Sequence, residues 1–390
     1  MTHVTDNSAE QDMISLVRCA VNNEIPNTFM VQDMDLEAVF AAAERHSLKA
    51  AVAMALESAG VKNKMTSTAI MLSLKTAALF ELDKKAVLEK LEAQGIWYMP
   101  MKGLVLKDLY PKQGMRQMAD HDILFDASRE NDVKTIMESC GFKTISFGMG
   151  PHDTYTKPPV SNFEMHLMPF EKKDELFCQY YQNIRQRLLK DDNNNFGYHF
   201  SPEDFYIYIT AHEYKHFIEE GTGIRSLLDV YVYLSRFGGQ LNMEYVQNET
   251  AKLGIRDFED ENRNLALNVF GNCTRTAGHE GMLDYLLSSG TFGIMEQKVT
   301  NNLHKNGKGI KGRLKYIYRR LFPPVSILES TYPLLGSHKS LAPFFAIHRI
   351  FKAVLFHKRR IMKEISIMMK KTKHQMPTAM DSFRKENMHR

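Results

Sequence analysis

The chain has 390 residues, 44% of them hydrophobic and 25% charged, with 22 glycines and 13 prolines. That balance excludes disorder, collagen-like repeats and disulfide scaffolds, and the length exceeds what one compact core holds. The formal charge of +4 conceals an asymmetry: residues 301–390 carry 20 lysines and arginines against 4 acidic residues, a net of +16, leaving the first 300 residues at −12. Such a split predicts a basic terminal segment that meets an anionic surface, either a membrane or a nucleic acid. Solvated helix faces would give the same count with no partner. Four cysteines, Cys19, Cys140, Cys178 and Cys273, stand far apart without a CxxC, which predicts a reducing compartment, no disulfide partner and no cysteine-based zinc site. The N-terminus lacks the layout of a secretory signal, and no run of 18 apolar residues occurs. The expected address is the cytoplasm, peripheral to the membrane if the basic segment binds lipid.

Residues 1–95 read as a helical region. Apolar positions recur at three- and four-residue spacing up to Gly60, and again from Met71 to Gly95. Beyond Gly95 the texture changes. IWYMPM is short, apolar and aromatic, as a buried strand is, and LVLKDLY reads as a short helix stopped before Pro111. MADHDILF predicts a strand with Met118, Asp120, Asp122 and Leu124 on one side and His121 on the other. Ser128 is placed to cap a helix that Gly141 ends, and KTISF, DTYTK and NFEMHLM are three more strand candidates. The polar run 191–195 precedes a return to helix, opened by Ser201-Pro202-Glu203-Asp204. The expected fold is α+β: a mixed-sheet core over 96–200 between the N-terminal helical region, a helical domain over 201–300 and a basic helical tail over 301–390.

Asp120 and Asp122, at i and i+2 on a strand, point the same way. Two like charges there raise each other's pKa unless a cation lies between them. Oxygen ligation suits Mg²⁺, with Mn²⁺ as the alternative, and Glu164 in NFEMHLM could face the pair from a neighbouring strand. Three acids on adjacent strands form the layout that two-metal phosphoryl or nucleotidyl transfer needs. Lys102-Gly103 opens a helix directly after an apolar strand and offers an ammonium and backbone N–H groups to phosphate; Arg116 could reach the same anion.

These residues carry a resemblance. KGLVLKDLYPKQGMRQMADHDILF is similar to the signature of the uncharacterised bacterial nucleotidyltransferase family within the DNA polymerase beta-like superfold. Gly141-Phe142, Glu164-Met165-His166, His212, His216, Arg225, Asp229 and PPVSILESTYPLL match further on, so the resemblance spans roughly 95–355. It implies a nucleotidyltransferase that binds an NTP such as ATP, with Asp120, Asp122 and Glu164 as metal-binding catalytic acids. The superfold's phosphate contacts do not carry over, so nucleotide binding by Lys102, Gly103 and Arg116 rests on the reading of those residues above, while His166, His212, His216, Arg225 and Asp229 would assist. Lys-Gly replaces the superfold's usual Gly-Ser, and His121 replaces an apolar residue between the acids; on a strand it points away from them. The expected function is Mg²⁺-dependent transfer of a nucleoside monophosphate from an NTP to an unknown acceptor. The alternative is a nucleotide- or RNA-binding module of the same fold without turnover.

Three further patterns have competing readings. His212-Glu213-Tyr214-Lys215-His216 is a literal HExxH, the zinc-protease pattern, but Lys215 puts a charge on that helix and the extended pattern downstream is missing. Arg225 and Asp229, at i and i+4, read either as an intrahelical ion pair or as a nucleotide contact and its orienting acid. Phe344, Phe345, Ile347, Phe351, Val354 and Leu355, among basic residues, read as an in-plane membrane helix or as a stripe packed on the body.

Overall fold

Five helices open the chain in the computed structural model, which describes residues 7–271 apart from 172 and 220, 280–290, 309–325, 338–369 apart from 357, and isolated positions between. They are α1 (Asn7–Val21), α2 (Thr28–Gln32), α3 (Leu36–Arg45), α4 (Lys49–Ser58) and α5 (Lys64–Ala93). Asp35 caps α3 by accepting from the Ala38 N–H. Asn63 and Thr66 close a reciprocal capping box on α5. The apolar period before Gly60 runs through two helices because Ser47, at φ +54°, turns the chain between them. Gly95, at φ +66°, ends α5 and lets the Ile96 N–H return to the Leu91 carbonyl.

Next come β1 (Tyr98–Pro100), α6 (Gly103–Leu106), β2 (His121–Phe125), α7 (Glu130–Ser139), β3 (Lys143–Ser146), β4 (His152–Lys157) and β5 (Ser161–His166). The strands form a mixed sheet in the order β1-β2-β5-β4-β3, with β2 and β5 parallel and the other neighbours antiparallel. Alternation divides the sheet between two cores. Ile123, Phe125, Phe163, Met165 and Tyr155 pack with Val87 and Leu91 of α5 and with Val133, Ile136 and Met137 of α7. Met99 and Leu124 face the other way, into the larger core built on the remaining helices. Ser128 does not cap α7: it donates through N–H and hydroxyl to Asp126, which caps the turn just before that helix.

The second half holds α8 (Glu175–Tyr180), β6 (Leu188–Lys190), β7 (Tyr198–Phe200), α9 (Pro202–Glu219), α10 (Ile224–Phe237), α11 (Met243–Lys252), α12 (Arg256–Phe270) and α13 (Glu280–Ser289). The polar run 191–195 links an antiparallel strand pair, β6 and β7, that the sequence reading did not contain. Both strands are three residues long, too short for a period to show. The Ser201 hydroxyl accepts from the Asp204 N–H at the start of α9, as its Ser-Pro-Glu-Asp opening predicts. Three basic helices follow: α14 (Gly309–Leu321), α15 (Ala342–Phe356) and α16 (Lys358–Met369). The fold is α+β, and among the described residues no helix is long and apolar enough to cross a membrane.

Candidate active site

The backbone is constrained at the junction of β1 and α6. The Met101 N–H still bonds to the Asp122 carbonyl as a continuation of the sheet, and Lys102 then adopts φ +46°, ψ −118°. A non-glycine residue there costs about 1–3 kcal/mol. At Gly103 a Cβ would lie 2.6 Å from Arg116 Nη1 and 2.8 Å from Met118 Cε, so a larger residue would have to displace one of those side chains. The Lys-Gly pair thus turns the chain sharply and sends the lysine back over the sheet. Its Nζ donates to Asp122 Oδ1 at 2.7 Å. Burial would strip the proton from Lys102, but Asp122 beside it holds that proton more firmly than usual.

Asp122 is buried on β2, and its Oδ1 also receives His166 Nε2 at 2.7 Å. Burial opposes its ionisation; Lys102 and His166 overcome that and hold the carboxyl well below the usual carboxylate range. Glu164 stands opposite Asp122 in the parallel register. Its carboxyl is raised by burial, yet the His166 hydrogen bond and His152 bring it below its ordinary value. Asp120 lies one residue before β2 and, among the described residues, has no such partner. Burial, then the charges of Asp122 and Glu164, push it up to about 6.

Beside these acids is a cluster that sequence reading missed. His152 and His166 are cross-strand partners on β4 and β5. His152 Nε2 lies 3.7 Å from one Glu164 oxygen and His166 Nε2 3.6 Å from the other. The ligand atoms of His152, Glu164 and His166 all fall within 4.8 Å of one another. Asp120, Asp122 and Glu164 line the same cleft without gathering that tightly. His152 could be found only once the β4–β5 register was known, since it stands 14 positions from His166.

Arg116 and Asp229 are placed differently from either expectation. Asp229 on α10 does not pair with Arg225 in its own helix. It accepts from Arg116 Nε at 2.7 Å and Nη2 at 2.8 Å, with the Tyr110 hydroxyl donating at 2.7 Å. Arg116 therefore spends its fork on a protein carboxylate. Arg225 donates to the Gln117 carbonyl at 3.1 Å, and among the described residues no carboxylate lies within ion-pair distance of it. It leaves the cleft a guanidinium.

His212 and His216 on α9 bring their Nε2 atoms to 3.3 Å. Burial, then the Lys102 charge, hold His212 well below the usual histidine range, so it is neutral at pH 7. Glu213 is buried, accepts from Asn262 Nδ2 at 2.7 Å, and is pushed up to about 7 by burial. Among the described residues no third ligating side chain closes on the two histidines, so the HExxH helix does not form a zinc-protease centre there.

One cavity of about 390 Å³ is lined by Lys102, Gly103, Arg116, Asp120, Asp122, Glu164, His212, His216, Arg225 and Asp229. His166 reaches it through Asp122. The turn Gly221-Thr222-Gly223, which leads into α10, forms part of the wall. A second cavity of about 730 Å³, lined by Phe40, Met65, Leu72 and Met118 among others, shares Arg116 with it.

Comparison with known proteins places the chain that carries this sheet and cleft in a family. Residues 32–271 match the family described as uncharacterised nucleotidyltransferase, and the chain belongs to that family. No curated protein matches it. Among solved structures it is similar to the crystal structure of an antigenic nucleotidyltransferase-like protein from Paracoccidioides brasiliensis. That likeness has 18% identity and a TM-score of 0.30, covering 50% of this chain and 95% of the other.

Proposed function

We propose that the chain is a Mg²⁺-dependent nucleotidyltransferase of the DNA polymerase beta-like superfold, moving a nucleoside monophosphate from an NTP to an acceptor hydroxyl. The observation that carries this reading is that Asp120, Asp122 and Glu164, together with Arg225, line one cavity. Its volume is in the range of small-molecule sites. The donor set fits a hard dication. It is built of carboxylate oxygens, and burial together with the neighbouring Asp122 and Glu164 charges raises Asp120, the setting a cation would relieve. Mg²⁺, or Mn²⁺ in its place, on Asp120, Asp122 and Glu164 would neutralise the triphosphate and the charge that develops during transfer.

The chain's own residues supply the rest. Arg225 binds phosphate as a fixed cation, and the neutral His212, paired with His216, lines the same cavity beside it. Lys102 neutralises Asp122 and lies where it can meet the triphosphate. His166 holds the Asp122 carboxylate in one orientation. Arg116 is a positioning residue: gripped by Asp229, it packs against Gly103 and fixes the turn that carries Lys102. Glu164, ionised at neutral pH, accepts the hydrogen bond and then the proton of the acceptor hydroxyl. The acceptor oxygen bonds to the α-phosphorus, the bond from that phosphorus to the β-phosphate oxygen breaks, and pyrophosphate leaves.

Incubation with each labelled NTP, Mg²⁺ and a cell extract tests this reading. Label appearing on an extract component with wild type but not with Asp120→Asn supports it. Tight nucleotide binding with no transfer to anything would leave a binding module.

A further inference from the structure

The C-terminal helices show their apolar side chains to solvent. On α15, Phe344, Ile347, Phe351 and Leu355 are 65%, 50%, 66% and 73% exposed, at the spacing that puts them on one face. On α14, Leu314, Ile317, Tyr318 and Leu321 repeat the pattern, and Met362 and Ile365 of α16 are exposed as well. Exposed apolar residues scattered singly need no explanation, but aligned stripes on three successive helices do. The opposite faces are occupied. Leu328, Leu335, Ala342 and Ala346 form a small core with Phe345 against it. Glu364 accepts from the Tyr316 hydroxyl at 2.5 Å and from Arg320 Nε at 3.1 Å, joining α14 to α16. The helices therefore pack together and turn their remaining apolar faces outward.

What flanks those faces is cationic. Neither α14 nor α15 contains an acidic residue, while α14 alone carries Lys311, Arg313, Lys315, Arg319 and Arg320. Lys311, Lys315, Lys352 and Lys363 are exposed. An apolar stripe edged by lysine and arginine, on helices too short and too charged to span, matches helices that lie in the plane of an anionic bilayer. A nucleic acid would use the cations and leave the stripes in water. We infer that α14–α16 dock the protein on an anionic lipid surface, with the stripes of α14 and α15 in the headgroup–acyl boundary.

The full chain is sedimented with neutral vesicles and with vesicles containing phosphatidylserine, at low and high salt. Phe344→Ala/Phe351→Ala and Lys311→Gln/Lys315→Gln/Arg319→Gln are compared with wild type, and circular dichroism checks that each variant keeps its helices. The expected result is binding to the phosphatidylserine vesicles alone, falling steeply with salt, and weakened at least about tenfold by either variant. Failure to bind any vesicle overturns the inference, as does binding that the phenylalanine variant leaves unchanged. Retention of RNA in place of vesicles overturns it in favour of a nucleic-acid surface.

Discussion

Arg116 and Asp229 stand 113 positions apart and meet in two parallel hydrogen bonds of 2.7 and 2.8 Å, both side chains nearly buried. The pair ties the segment before β2 to α10, and so joins the acidic strand to the wall that carries Arg225. Removing one partner of a buried pair costs about 3–5 kcal/mol, because the other charge is left uncompensated. Asp229→Asn should lower stability by that amount in chemical denaturation. Arg116→Lys should lose part of it, since an ammonium cannot reproduce the fork.

Asp120→Asn should do the opposite to stability while abolishing transfer. Folding raises this carboxyl from its ordinary 3.8 to about 6, so the folded chain holds the proton more tightly. Its ionisation at pH 7 therefore works against the fold, and the penalty fades as pH falls from about 6 towards 3.8. The asparagine variant should melt higher than wild type at pH 7, by about 1–3 kcal/mol in stability, and the difference should shrink at pH 4.

His121 should prove structural although it sits between two acids of the cleft. Its ring stacks on Phe163 at 4.1 Å, and its nitrogens lie 3.1 Å and 3.3 Å from the Phe80 and Asn162 carbonyls. Burial lowers its pKa from 6.5 to about 4. The unfolded chain binds the proton more readily in that window, so this contribution is complete above about 6.5 and is lost as pH falls towards 4. His121→Phe keeps the stacking and loses the titration. It should retain activity, be less stable at pH 7.5, and close its gap to wild type near pH 4.

Much of this arrangement was legible in the sequence. The alternation in HDILF put Asp122 and Leu124 on the face opposite His121, and the Lys-Gly turn marked the helix entry. Hidden were contacts that depend on register or on distant packing. His152 joins the site because β4 happens to place it opposite His166. Asp229 looked like a partner for Arg225 at i+4, but the fork of Arg116 offered better geometry from another element. β6 and β7 were too short to show a period, and of the α15 stripe, for which packing on the body was the more ordinary reading, Phe344, Ile347, Phe351 and Leu355 face outward while Phe345 packs on the small core and the Val354 side chain lies outside the described residues.

Gly103→Ala should expose the same constraint from the backbone side. Its new methyl group meets Arg116 and Met118, so one of them must shift. A loss of about 1–3 kcal/mol is expected by thermal or chemical denaturation. Transfer should fall with it, because Lys102 is carried by the same turn.

The most direct test of the central claim compares NTP labelled at the α-phosphate with NTP labelled at the γ-phosphate, in Mg²⁺ and cell extract, for wild type and Asp122→Asn. Nucleotidyl transfer predicts α-label on the acceptor, γ-label released as pyrophosphate, and neither with the variant. γ-Label on the acceptor, or α-label transferred equally well by Asp122→Asn, would contradict it.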